Sequence, residues 1–245
     1  MRTGVGGVAV VIVIGLTACQ SSAPAWHTLA EFSTSLAGRT AGQVHNARLA
    51  ARQINHQVVA PDAVWSYNQC VGQWVRSEGY VRAPVSYGGI LVPAWGGGVC
   101  QTSTTLYNAA LLAGLTIEER HPHTIAPSYV APGLDSAVAQ GIADLKLRNP
   151  YPFPIRIVSG VSGERLWCRI EAMTTPKKIR QWVPNCSVEC EQVAIQSPPR
   201  VAGFYPQPGR AGVRVRLWRT CTHNGVRWRE LCHETEYQPL PQGLR

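Results

Sequence analysis

The chain has 245 residues, with eight cysteines and a formal net charge of +9 from 23 Lys and Arg against 14 Asp and Glu. This length suits one sizeable core with a smaller unit attached, and no apolar run is long enough for a permanent membrane span. The charge is uneven, +3 over residues 1–172 (12 basic, 9 acidic) and +6 over residues 173–245 (11 basic, 5 acidic). The C-terminal part is therefore suited to an anionic partner, or simply to solvation.

Arg2 followed by the short apolar run Val8 to Leu16 and by Leu16-Thr17-Ala18-Cys19 has the form of a lipoprotein signal. Residues 1–19 are expected to be the leader, and Cys19 the lipidated first residue of an extracytoplasmic, membrane-anchored chain at the bacterial cell envelope. Export makes nucleic acid an unexpected partner. Residues 20–44 are polar and small and are expected to form a tether, with one weak helix around Leu29 to Leu36.

From His45 to Gln57 the residues Leu49, Ala50 and Ile54 recur at helical spacing, with Pro61 after the end, which predicts a helix. Val58 to Asn68 is expected to be extended, and Tyr80 to Leu91 to be a strand or hairpin turning at Gly88-Gly89. Leu106, Ala109, Ala110 and Ala113 share one stripe of a helix over Thr102 to Leu115, with Gly114 as its stop. Pro122 favours extended or turn structure over Thr116 to Tyr129. Strands are predicted at Leu145 to Leu147, Ile155 to Val158 and Leu166 to Met173. Beyond Thr174 the composition turns to Pro, Arg and Cys, and Val213 to Arg219 alternates as a half-exposed strand does. The fold class is α+β, a mixed helix and sheet unit over residues 45–173 with a small Cys-rich β extension over 174–245.

Setting Cys19 aside leaves seven cysteines, an odd number, so an oxidising exterior leaves at least one thiol unpaired. Cys186, Cys190, Cys221 and Cys232 are expected to form two bridges among themselves and Cys70 to pair with Cys168, leaving Cys100 free. A Cys70–Cys100 bond is the alternative, since parity alone does not name the odd residue. With His223 and His233 the extension has zinc-type donors, but at a spacing that matches no known finger, so no metal and no cofactor is expected.

Cys100 stands where Gly96-Gly97-Gly98 meets a helix start, and both the turn amides and the helix dipole favour thiolate there. A cysteine nucleophile also needs a base, a group to orient that base, and donors for an oxyanion. His121 and His123 are the available bases, Asp135 and Asp144 the available orienting carboxylates, and the Gly97 to Gln101 amides the available donors. Gly97, Gly98, Gln101 and Ser103 are expected on the oxyanion and substrate side. Arg120 suits a substrate carboxylate or an internal ion pair.

Residues 45–172 resemble the VanW-domain family. The resemblance is carried by Asn46, Pro61, Trp65-Ser66-Tyr67-Asn68, Val71-Gly72, Gly79-Tyr80, the segment Gly96 to Asn108, Glu119-Arg120, His123, Tyr129, Gly133, Asp135, Asp144-Leu145 and Asn149. The family's Phe-Ser-Phe-Asn is Trp65 to Asn68 here, its frequent Ile is Val99, and its Asp-Ala-Thr-Val is Asp135 to Val138. None of these departures removes a reactive side chain. The resemblance implies glycopeptide-resistance associations and, as for some members, L,D-transpeptidase-like 3-3 cross-linking of peptidoglycan stem peptides. It makes Cys100 the nucleophile and His123 the base, and Asp135 is taken as the orienting carboxylate from its position after them in the chain. The competing expectations are a non-catalytic peptidoglycan or glycopeptide binder, and a cysteine peptidase or carboxypeptidase that uses water alone.

Overall fold

A computed structural model describes residues 23–87, 90–197, 200–202 and 209–244. The leader, Cys19 and the Gly88-Gly89 turn lie outside the described residues. No helix among the described residues is long and apolar enough to cross a membrane.

The chain runs β1 (Ala25–Ser35), α1 (Ala41–Ile54), β2 (Val58–Val59), β3 (Val64–Ser66), α2 (Tyr67–Val71), β4 (Arg82–Tyr87), β5 (Ile90–Trp95), α3 (Val99–Leu112) and β6 (Thr116–Glu119). It continues through β7 (Lys146–Arg148), β8 (Ile155–Ser162), β9 (Arg165–Thr174) and α4 (Pro176–Trp182) to β10 (Asn185–Gln196), β11 (Arg200–Ala202), β12 (Gly212–His223), β13 (Val226–Tyr237) and β14 (Gln242–Leu244). The main sheet has the order β1-β9-β8-β2, a second has β3-β7-β6, and the extension forms β10-β12-β13. The α+β class holds.

The segment expected to be a tether with a weak helix is instead β1, paired antiparallel to β9 from Ala25↔Thr174 to Ser35↔Arg165. Its faces are only half buried, so its sequence lacks the clean alternation of a strand packed on one side. Helix α1 begins before the predicted His45, because Thr40 caps it. The Thr40 hydroxyl accepts from Gln43 N–H while the Gln43 side chain accepts from Thr40 N–H, a reciprocal capping box.

Helix α3 is the centre of the molecule. All its residues except Cys100 are buried, so it lacks the polar face of a surface helix. Leu106, Ala109, Ala110 and Leu111 join α1, the main sheet and, from the extension, Val188 and Leu217 in a single hydrophobic core. The extension is thus packed into the main unit rather than appended to it.

The cysteine pairing is also revised. Cys186 and Cys221 are directly opposite on β10 and β12 and are disulfide-bonded. Cys70, Cys100, Cys168, Cys190 and Cys232 are free thiols. Cys190 and Cys232 sit on β10 and β13, with β12 between them. Strands two places apart are about 10 Å apart, beyond the reach of a disulfide. Cys70 Sγ instead faces the Gln53 carbonyl at 3.3 Å, and Cys168 is buried in the middle of β9.

Candidate active site

The glycine turn before α3 is shaped by close backbone packing. Gly98 has φ +110°, and a Cβ there would lie 2.3 Å from the Gln43 carbonyl oxygen, while one on Gly97 would lie 2.7 Å from the Ala83 and Pro84 carbonyl oxygens. Only glycine fits such a conformation and such an approach. Buried Asn46 fastens the turn, its side-chain amide donating to Gly97 O and Val81 O, each at 2.9 Å. The loop is therefore a fitted part of the scaffold that fixes where α3 begins.

Cys100 lies in the first turn of α3. Val99 N–H is taken by Gly96 O and Gln101 N–H by Gly98 O, so the amide of Cys100 itself is the first-turn donor suited to an oxyanion. Gln101 and Ser103, expected on the substrate side, are structural. Gln101 is 2% exposed, and its side-chain amide donates to Thr34 Oγ1 and Ser35 O. Ser103 is fully buried, and its hydroxyl donates to Ser136 O at 2.7 Å.

Polar residues line the buried face of α3 because they hold a loop. Besides Ser103, Thr104 Oγ1 accepts from Ser136 N–H at 3.0 Å and the Asn108 amide donates to Leu134 O at 2.7 Å. These contacts bracket Asp135 on both sides. An isolated antiparallel bridge pairs His121 with Ala137, and the same register sets His123 opposite Asp135. His123 donates to Asp135 Oδ2 through its backbone N–H at 2.8 Å and through Nδ1 at 2.6 Å. The other carboxylate oxygen, Oδ1, accepts from Arg120 Nη2 at 2.7 Å and from the Tyr237 hydroxyl. Asp135 is fully buried with four donors on its carboxylate.

Arg120, one of whose expected roles was to bind substrate, belongs to this internal pair. Its side chain is 6% exposed, and its remaining donors go to Asp135 O and Thr235 Oγ1. The alternative base and carboxylate both lie elsewhere. His121 contacts Glu119 at 2.9 Å on the surface, and Asp144 accepts from Ser66 Oγ and Asn68 N–H at the start of α2.

The electrostatics follow from this geometry. Burial alone would raise the Asp135 pKa, but the His123 hydrogen bond and the Arg120 charge bring it down to about 2. Burial would lower His123, yet its hydrogen bonds to Asp135 and Cys100 raise it to about 10. Burial would raise the Cys100 thiol, and the hydrogen bond and charge of His123 more than offset that. Its Sγ also faces Val138 O at 3.5 Å. The other free thiols are all pushed up by burial, Cys70 and Cys232 to about 11, Cys190 to about 12 and Cys168 further. Environment, rather than parity, sets Cys100 apart. Both shifts run in the direction that favours a thiolate beside an imidazolium, with a buried carboxylate orienting the imidazole.

The sequence reading missed Tyr237 and Thr235. The signal lay in Glu234-Thr235-Glu236-Tyr237, where the residues alternating with exposed glutamates are buried. A cleft of about 600 Å³ lies nearby, between β6 and β13. It reaches Arg120, Cys232 and His233, but neither Cys100 nor His123 lines it. Among the described residues no three His, Cys, Asp or Glu converge as a metal site.

Residues 42–171 match the model of a family described as VanW like protein. The chain is 40% identical over 129 residues to the "Uncharacterized protein YoaR" of Bacillus subtilis strain 168, covering 53% of this chain and 43% of that protein. It is 26% identical over 152 residues to the "Vancomycin B-type resistance protein VanW" of Enterococcus faecalis strain ATCC 700802 / V583, covering 60% of this chain and 55% of that protein. The chain thus spans about half the length of the curated relatives it matches. No solved structure matches it.

Proposed function

Because the chain belongs to the VanW-like protein family, we propose that it works on the bacterial cell wall, as an acyltransferase with Cys100 as its nucleophile. The observation that carries this reading is His123 held by the buried, fully hydrogen-bonded carboxylate of Asp135, with the hydrogen bond and charge of that same histidine drawing the Cys100 thiol down. A pocket that only bound a ligand would have no use for a thiol held below its ordinary pKa by an oriented histidine. The relative named for vancomycin resistance supports a wall-related substrate. The Cys186–Cys221 bond supports an oxidising, extracytoplasmic setting, consistent with a leader ending at the lipid-bearing Cys19.

In the proposed reaction the Cys100 thiolate attacks the carbonyl carbon of the third residue of a donor stem tetrapeptide. The C–N bond breaks, His123 gives its Nε2 proton to the departing D-Ala amine, and a thioester forms. The Cys100 amide receives the oxyanion. An amine of a neighbouring stem then attacks the thioester, His123 takes its proton, and the thiolate is released with a 3-3 cross-link. Water in place of the amine makes the same site a carboxypeptidase.

The test is incubation of the purified chain with stem tetrapeptides, with products read by mass. A cross-linked dimer supports transpeptidation, a tripeptide supports hydrolysis, and an unchanged substrate supports binding alone. Product formed equally by Cys100→Ala would sink the reading.

A further inference from the structure

With Arg120 committed to Asp135, a different cation is available to a substrate. Arg39 lies in the turn between β1 and α1, just before the cap residue Thr40. Its Nη2 donates to Ser128 Oγ at 3.0 Å, and its guanidinium lies 5.1 Å from the centroid of the Tyr129 ring. Among the described residues it makes no ion pair, and its Nε is buried without an acceptor. A fixed, partly desolvated guanidinium with no carboxylate is unusual, because an unmet buried donor is costly.

Its position relates it to the thiol. The Tyr129 hydroxyl is 3.4 Å from Thr104 Oγ1, and Thr104 follows Cys100 by one turn on the same face of α3. The half-buried Tyr129 phenol is raised first by desolvation and then by the Cys100 charge, and is lowered by Arg39, so it feels both. Gln101 ties Thr34 and Ser35, at the end of β1, to the start of α3. That contact anchors the short turn bearing Arg39 beside the nucleophile.

We propose that Arg39 is a substrate-binding residue that holds the free carboxylate of the donor peptide, the C-terminal group of the amino acid expelled when Cys100 attacks. The assignment rests on the acyl-transfer reading above. A guanidinium offers a carboxylate two parallel donors, which fixes the orientation of the leaving residue as well as its charge. A donor with a blocked C-terminus loses that contact.

The test compares alkylation of Cys100 by anionic iodoacetate and neutral iodoacetamide in the full chain at pH 7, with labelling followed by peptide mass. Arg39→Gln should slow iodoacetate by roughly tenfold, as expected for removing one nearby positive charge at intermediate dielectric, and leave the iodoacetamide rate within about twofold. Arg39→Lys should retain most of the iodoacetate rate. With tetrapeptides, the wild-type chain should prefer a C-terminal carboxylate over a carboxamide, and Arg39→Gln should lose that preference. If Cys100 is alkylated briskly but the ratio of the two rates is the same in both proteins, the Arg39 assignment alone is overturned. If neither reagent reaches Cys100, the acyl-transfer reading falls and takes the Arg39 assignment with it.

Discussion

The hydroxyl of Tyr237 donates a hydrogen bond to Oδ1 of Asp135, joining positions 102 residues apart. The same hydroxyl accepts from Gly133 N–H at 2.9 Å and from Arg120 Nη2 at 3.1 Å. Tyr237→Phe should therefore destabilise the protein by about 0.5–1.5 kcal/mol, the usual net value of a buried hydrogen bond. It should also raise the Asp135 pKa and slow acyl transfer several-fold. Denaturant melts and product formation check both effects.

Asp135 and Arg120 form a pair in which each neutralises the other. Asp135→Ala should cost about 3–5 kcal/mol, because it leaves a buried guanidinium uncompensated. Arg120→Met with Asp135 intact should likewise be strongly destabilising, whereas the double variant should recover part of the loss. A thermodynamic cycle over the four proteins checks the coupling.

The pH profile of transfer should be bell-shaped. Its rising limb follows thiolate formation at Cys100, below the usual cysteine value, and its falling limb follows loss of the His123 proton at about 10. Alkylation of Cys100 should show the rise without the fall, since it needs the thiolate but not the imidazolium. For stability, His123 is raised, so its contribution is complete below about 6.5 and is lost as pH climbs through about 10. Asp135 is depressed, so its contribution is present above about 4 and is lost as pH falls towards about 2. Melts across pH check the two signs.

Thiol labelling should be ordered. At pH 7 iodoacetamide should reach Cys100 well before Cys70, Cys190 or Cys232, which burial keeps protonated. His123→Ala should erase this lead and reduce transfer by about 10²- to 10⁴-fold. Timed labelling with peptide mass mapping checks the order.

Gly98→Ala should be among the most disruptive single changes. The new Cβ would meet the Gln43 carbonyl at 2.3 Å in a backbone with φ +110°, which puts the strain alone at about 1–3 kcal/mol before the clash is added. A loss of both stability and Cys100 reactivity, measured by melts and labelling, is the expected result.

Much of the main unit is legible in the chain because its signals are local. Helix α3 is announced by glycines before it, an apolar stripe along it and Gly114 after it, β8 by its β-branched residues, and β9 by the apolar residues alternating from Leu166 to Ala172. The β1 strand escapes because its residues are half buried on both faces, so neither period stands out. Cys100 is legible as a candidate for the same local reason as its helix. The role of Arg120 depends on which carboxylate the fold brings to it, and Tyr237 acts across a long separation in sequence. Neither relationship leaves a spacing to read. The cysteine pairing fails for a comparable reason, since the strand order that keeps Cys190 from Cys232 is set by the tertiary fold.

The family match ends at residue 171, yet Tyr237 and Thr235 serve the carboxylate behind His123. Gly133 packs so tightly against Val215 of β12 that a Cβ would lie 2.7 Å from it. The stretch that similarity delimits is thus smaller than the stretch that must be inherited together. A graft that moved residues 42–171 to another C-terminal partner would have to find new donors for Asp135, and changes at positions 120, 133 and 135 are tied to changes in the last strands of the chain.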